Sequence, residues 1–451
     1  MDDADMDYDA SSTVPTNGDQ PQMGYNGQMG GVGDGRKMLD LVFIQDCTGS
    51  QGSYISSATK NIEQICAHIF ESGKLQSRED LRVGLVAFRD HPPQDHTYIT
   101  KNFGFSSDIA KVQKDLSGLY ASGGGDGPEA VTAAMFEALN MDWREEASKM
   151  VVLIADAPPH GIGEYGDGFD DGSPDNNDPL QLARVMASRG ITLFFVACEP
   201  ALSGTRTDFY RAITNITSGL MLPLTTADLL AHAIVGSVLE NLDMDRLVRE
   251  VGHAVAQRIL GNNESVDDVA RELHEKLLLR NESTKKVVIE SIYKDSEESR
   301  HNVQVYTQAA SLAAARPELK RVNGTRFTDK YLESRSAASR SSSYGALLPR
   351  LHPKLGSPGS PPRKVVTDFA SFGGPANASV FGTAVASTPF SLAGGKAAFG
   401  GIRNGGARGG MFDDEEEEED GRQKVELRED SISLDQARRI AMQSAWRSAR
   451  A

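Results

Sequence analysis

The chain has 451 residues, 47 basic against 63 acidic side chains, a formal net charge of −16 and 39% hydrophobic residues. That length exceeds one ordinary domain, and the acidic balance excludes bulk affinity for nucleic acid or an anionic membrane. The three cysteines, Cys47, Cys66 and Cys198, all in apolar surroundings, suggest by neither number nor spacing a disulfide framework or a zinc site.

The opening stretch, MDDADMDYDASSTVP, is acidic and polar where a secretory signal would be basic and then apolar, and no apolar run reaches membrane-spanning length. The expected location is cytoplasmic, with the nucleus as the alternative. Residues 1–36 are rich in Gly, Asp, Gln and Met without periodicity, a composition that predicts a disordered acidic tail. From Lys37 short apolar runs alternate with amphipathic stretches. Strands are expected at 39–45, 81–88, 96–103, 149–156 and 191–198, and helices at 53–71, 107–119, 127–140, 178–189, 207–214 and 226–242. Continuous apolar strands separated by helices predict an α/β domain over 37–242, a doubly wound, mainly parallel sheet covered on both faces. Residues 243–335 read as a helical appendage with apolar residues at helical spacing. From 336 to 425 a Ser/Gly/Pro/Ala composition predicts a flexible linker, with Ser-Pro motifs at Ser357 and Ser360 and an acidic run from Asp413 to Asp420. Residues 426–451 end in a helix whose Ser433 and Gln436 have capping-box spacing. Its Arg438, Arg439, Arg447 and Arg450, set beside Ile440, Met442 and Trp446, would suit a partner helix or a lipid surface.

Ligands of open α/β sheets bind beyond the carboxyl ends of the strands. Three polar clusters fall on that edge: Asp46-Cys47-Thr48-Gly49-Ser50 after the first strand, GGGDGPEA before the helix at 127, and Asp156 in IADAPPHG. Asp, Thr and Ser offer hard oxygen donors, which suit octahedral Mg²⁺ or Mn²⁺ better than zinc. Asp46 and Asp156 at adjacent strand ends would repel each other unless a cation lay between them.

Asp46-Cys47-Thr48-Gly49-Ser50 resembles the D-x-S/T-x-S signature of von Willebrand factor A domains, Asp126-Gly127-Pro128-Glu129 resembles the D-x-P-E loop of their integrin β relatives, and Asp156 resembles the strand-four aspartate. The flavour of DCTGS, GGGDGPEA, ADAPPHG and VACEP is similar to that of intracellular A domains associated with alpha-type protein kinases. The resemblance covers residues 37–242 and implies a Rossmann-like fold with a metal-ion-dependent adhesion site. In such a site the hydroxyls of Thr48 and Ser50 bind Mg²⁺ directly, the aspartates bind directly or through water, and an acidic side chain of a protein partner takes the open position. The expected function is an intracellular, non-enzymatic adaptor. Many A domains offer a threonine in the second loop, where this chain offers Asp126 or Glu129; three directly bound carboxylates would set −3 against +2, so part of the ligation is expected to run through water.

Other readings of the same residues stand beside this one. Asp46 could cap the helix near Ser53, and Asp126 with Glu129 has capping-box spacing. The acid-rich loop HGIGEYGDGFDDGSPDNNDP does not fit an EF-hand and reads as a solvated loop, and its lone His160 as neither ligand nor proton carrier. DCTGS and Gly166-Asp167-Gly168-Phe169-Asp170-Asp171 also look like the paired motifs of aspartyl-phosphate enzymes, with Asp46 as nucleophile, although Cys47 replaces their lysine and PPHGIGEY separates the second motif from its strand. A kinase reading would rest on kinship alone, because no phosphate loop with flanking strand and helix follows residue 242.

Overall fold

The computed structural model describes residues 37–202, 206–344 and 423–449. The acidic N-terminal tail, the Ser-Pro motifs and the acidic run lie outside these residues. Six strands, β1 (Leu39–Asp46), β2 (Leu81–Phe88), β3 (Thr100–Ser106), β4 (Ser148–Ala155), β5 (Ile191–Cys198) and β6 (Met221–Leu224), form one sheet in the order β3-β2-β1-β4-β5-β6. All pairs are parallel except β2 with β3. Residues of β1 alternate between two cores: Leu39, Leu41 and Phe43 on one face, Val42 and Ile44 on the other. Burial on both faces is why the central strands read as unbroken apolar runs.

The first face is covered by α1 (Gly52–Glu71), α2 (Ile109–Ser117) and the start of α6 (Leu230–Ala256), the second by α3 (Val131–Leu139), α4 (Pro179–Ser188) and α5 (Arg206–Ile216). Strand order reverses at the β1/β4 pair, with β2 on one side and β5 on the other. Such a switch point splays the loops apart and opens a crevice at the carboxyl ends of the strands. Asp46 closes β1 there and Asp156 follows β4. Sequence patterning missed β6, four residues interrupted by Pro223; proline donates no ladder bond and is tolerated on this edge strand.

The helix α6 runs unbroken past residue 242, so its first half packs on the sheet while Met244, Leu247 and Val248 enter a further core with α7 (Val266–Leu279) and α11 (Leu434–Ser448). The helical region expected over 243–335 also contains a strand: β7 (Ser283–Ile289) pairs antiparallel with β8 (Val425–Ser431) across the expected linker. Neither segment could be matched to the other from sequence, since STKKVVI and VELREDS are both mostly polar. The rest of the appendage is helical, with α8 (Glu297–Gln308), the single turn α9 (Leu312–Ala315) and α10 (Asp329–Tyr344), which continues past 336.

The terminal helix is also corrected. Its capping box forms as expected, but Ala437, Ile440 and Ala441 are buried in the core shared with α6 and α7, and Trp446 packs against the second face of the sheet. The apolar stripe that would suit a partner helix or lipid is already covered by the chain's own helices. No helix among the described residues is long and apolar enough to cross a membrane.

Candidate metal centre

The loop after β1 is fixed by backbone bonds to its neighbours: Cys47 N–H donates to Phe88 O (2.9 Å), Gly49 N–H to Gly123 O (3.3 Å), and Ser122 N–H to Cys47 O (3.0 Å). Asp46 is fully buried. Its Oδ1 accepts from the N–H (2.8 Å) and Oγ1 (2.7 Å) of Thr48, while Oδ2 is buried without a partner. A buried carboxylate oxygen with no donor costs about 1–3 kcal/mol or more unless something else meets it. Thr48 is buried beside it and Ser50 is exposed at the loop tip.

Glu129 is delivered by different physics from the expected helix. Helix α3 begins at Val131 rather than 127, because Glu129 N–H donates to Pro158 O (2.9 Å) and Ala130 N–H to Arg89 O (3.0 Å). Those bonds stitch the segment between the loops after β2 and β4 and hold Glu129 in the crevice, 5% exposed, with Oε2 unpartnered. A Cβ placed on Gly124 would lie 2.6 Å from Glu129 Oε1 and 3.5 Å from Thr48 Cβ, so Glu129 and Thr48 converge under that glycine. Gly124 has φ +83°, and Gly124→Ala would add left-handed strain to this clash. We expect it to destabilise the chain by about 1–3 kcal/mol and to weaken divalent-ion binding, checked by thermal melts with and without Mg²⁺.

The capping alternatives do not form. Helix α1 has Gln51 at its N-cap and α3 has Ala130, and neither position carries a side-chain capping bond. Burial, then the nearby charge of Asp156, pushes the Asp46 carboxyl up to about 7 against the opposing hydrogen bonds from Thr48. Burial, then the charges of Asp46, Asp90, Asp126 and Asp156, pushes Glu129 up to about 10. The fold therefore concentrates acids that repel one another, and orphaned oxygens of Asp46 and Glu129 are what a cation would satisfy. This donor set of carboxylates and hydroxyls fits a hard divalent ion.

Asp126 stands slightly apart. Its Oδ2 accepts from Gly168 N–H (2.7 Å), Oδ1 is unpartnered, and it groups with Asp90 and His160, each offering one ligand atom within 4.8 Å of the others. His160 Nε2–H donates to Asp90 Oδ1 (2.7 Å) and Nδ1–H to Asp167 Oδ1 (2.7 Å). Burial opposes a charged ring, but the hydrogen bonds to Asp167 and Asp90 outweigh it and raise His160 to about 9. The loop is solvated only in part: its His160 is 1% exposed, with the Phe169 ring edge-on at 4.9 Å. Asp90 was missed, though its position just beyond β2 on the same strand-end edge was a usable signal. In the motif that resembled an aspartyl-phosphate enzyme, Asp167 is committed to His160, and Asp170 and Asp171 are exposed.

A doubly wound sheet that gathers an Asp-x-Thr-x-Ser loop, a buried glutamate and a strand-four aspartate at its switch point defines a von Willebrand factor type A domain, and residues 40–222 match the family model of that description. This segment is a von Willebrand factor type A domain. Among curated proteins, the chain is 32% identical over 176 residues to the alpha-protein kinase vwkA of Dictyostelium discoideum, covering 38% of this chain and 27% of that one. It is 30% identical over 200 residues to a protein of Acanthamoeba polyphaga mimivirus named for an ariadne-like RING finger, covering 42% and 19%. The chain thus spans about a quarter and a fifth of those relatives' lengths. Among solved structures, the pilus adhesin SpaC of Lactobacillus rhamnosus GG in its open conformation is 13% identical, with a TM-score of 0.35 over 46% of this chain and 30% of that one.

Proposed function

We propose that the A domain is a metal-dependent protein-binding module in which Asp46, Thr48, Ser50, Asp156 and Glu129 hold Mg²⁺ or Mn²⁺, directly or through water, and an acidic side chain of another protein completes the ion's coordination. The observation that carries this reading is the orphaned, fully buried Oδ2 of Asp46, within reach of the charges of Asp156 and Glu129. Ser50 at the exposed loop tip supports it, because a partner must reach the ion from solvent. Neutral hydroxyls leave the ion electrophilic enough to take an external carboxylate. The fit of Asp126 to a neighbouring cluster favours Glu129 as the second-loop ligand.

An adaptor role belongs to this proposal, in which the domain recognises a partner without chemistry. Cys47, Cys66 and Cys198 are all free and buried, which suits a reducing compartment and supports a cytoplasmic location. Calorimetric titration of the full chain with Mg²⁺ is the test. Asp46→Asn should weaken binding by more than about 100-fold, since even the loss of a group that merely orients a metal ligand costs 10–100-fold. Unchanged affinity in that variant sinks the assignment.

A further inference from the structure

A second group of donors lies on the same edge of the sheet, and it differs in chemistry from the first. Asp90 lies just beyond the end of β2, Asp126 comes from the loop before α3, and His160 from the loop after β4. One ligand atom from each lies within 4.8 Å of the other two. Three observations separate this group from an ordinary acidic patch. Asp90 is completely buried and its Oδ2 has no hydrogen-bond partner. Asp126 uses Oδ2 for Gly168 N–H and leaves Oδ1 free. His160 is held in place from behind: its Nδ1–H donates to Asp167, whose carboxylate is itself held by Gly161 N–H (2.7 Å) and Phe169 N–H (2.8 Å).

Histidines that bind metals almost always donate their other ring N–H to a carboxylate or carbonyl, which fixes the tautomer and the ring plane. Asp167 stands in that relation to His160, leaving Nε2 directed at Asp90. We propose that Asp90, Asp126 and His160 Nε2 bind a second divalent ion, with Asp167 as the positioning residue. The ion takes the place of the Nε2 proton that otherwise bridges to Asp90, and that proton leaves to solvent. The half-buried Asp126 and the exposed Gly168 leave a path for entry and a place for water in the remaining coordination. One imidazole and two carboxylates suit zinc-like ions, with Zn–N and Zn–O distances near 2.0–2.2 Å, better than Mg²⁺. Its donor set differs from that of the Asp46 centre, which offers oxygen donors only.

The test uses the full chain, stripped with a chelator and titrated with Zn²⁺ by calorimetry and with Co²⁺ by visible absorption, both in a large excess of Mg²⁺. One equivalent should bind despite the Mg²⁺ and give a Co²⁺ spectrum without thiolate charge-transfer bands. His160→Gln and Asp90→Asn should each weaken it by more than about 100-fold, and Asp167→Asn by about 10–100-fold. Asp46→Asn should leave it intact, so failure of the Asp46 reading would not touch this one. Near-ultraviolet circular dichroism confirms that each variant folds. Zn²⁺ binding unchanged in folded His160→Gln, a thiolate-type Co²⁺ spectrum, or full displacement by Mg²⁺ would show a closed hydrogen-bonded network only and overturn the proposal.

Discussion

Stripped of divalent ions, the chain is expected to lose stability as pH rises from the ordinary carboxyl value of 3.8 toward about 7, and added Mg²⁺ is expected to remove most of that loss. Asp46 is the first cause. Burial and the neighbouring Asp156 make its protonated form the comfortable one in the folded chain. A carboxyl whose pKa is higher folded than unfolded stabilises most below the unfolded value, and that contribution is gone once pH passes the folded value. A shift from 3.8 to about 7 is worth on the order of 4 kcal/mol at 1.36 kcal/mol per unit. Glu129, raised to about 10, extends the decline past neutrality. His160 adds to it above 6.5, since its charged form is favoured up to about 9, while His91, lowered chiefly by burial, works the other way. The difference between wild type and Asp46→Asn isolates the one carboxyl from these histidines. A bound divalent ion favours the ionised carboxylates and adds about 2.7 kcal/mol at a hundredfold excess over its Kd. Thermal midpoints between about pH 5 and about pH 8, in chelator and in Mg²⁺, provide the measurement. A flat metal-free profile, or equal slopes in wild type and Asp46→Asn, would contradict it.

The same loops show how far a sequence carries the structure. Four of the six sheet strands announce themselves because each is apolar on both faces, β3 gives a weaker signal as a half-exposed edge strand, and DCTGS is conspicuous because polar atoms stop an apolar run abruptly. Oxygen donors after β1 and β4 could therefore be placed on one edge from strand direction alone. Glu129 could not be resolved, because capping and ligation ask for the same residue at the same spacing; only the backbone bonds to Pro158 and Arg89 show that the helix starts too late for the cap to form. His160 carried no local signal, since both its partners are distant or lie across a turn: Asp90 is 70 residues away and Asp167 is 7. The β7/β8 ribbon was hidden for a similar reason. Its strands are mostly polar, and what pairs them is burial against α6, where Val287 lies in the sheet core and Leu427 packs against it.

One buried carboxylate ties that ribbon to the terminal helix, and Glu240→Ala is expected to cost about 3–5 kcal/mol by removing it. Glu240 lies within α6 and is 1% exposed. Its Oε2 accepts from Val287 N–H of β7 (2.8 Å), and its Oε1 from Gln436 Nε2 (3.4 Å) and the Arg439 guanidinium of α11. Arg439 is itself buried, donates to Ser218 O (2.9 Å) and lies over the Phe194 ring. Alanine at 240 leaves that guanidinium without its counter-charge, the situation that makes breaking a buried pair so costly. Residues 423–449 should then exchange amide hydrogens and yield to protease far faster than the sheet. Mg²⁺ affinity should change by less than about twofold, because independent sites more than about 7–10 Å apart rarely couple. α11 sits at the amino ends of the strands, where Gln443 bonds Thr192 (2.6 Å) at the start of β5, and the metal centre is at the carboxyl ends. Unaltered exchange in β8 and α11 would show that the pair is not what fastens them. Because apolar replacement of a whole buried pair is often neutral or better, Glu240→Met combined with Arg439→Met should recover most of the lost stability. A double variant as unstable as the single would instead place the cost in the hydrogen bonds to Val287 and Ser218.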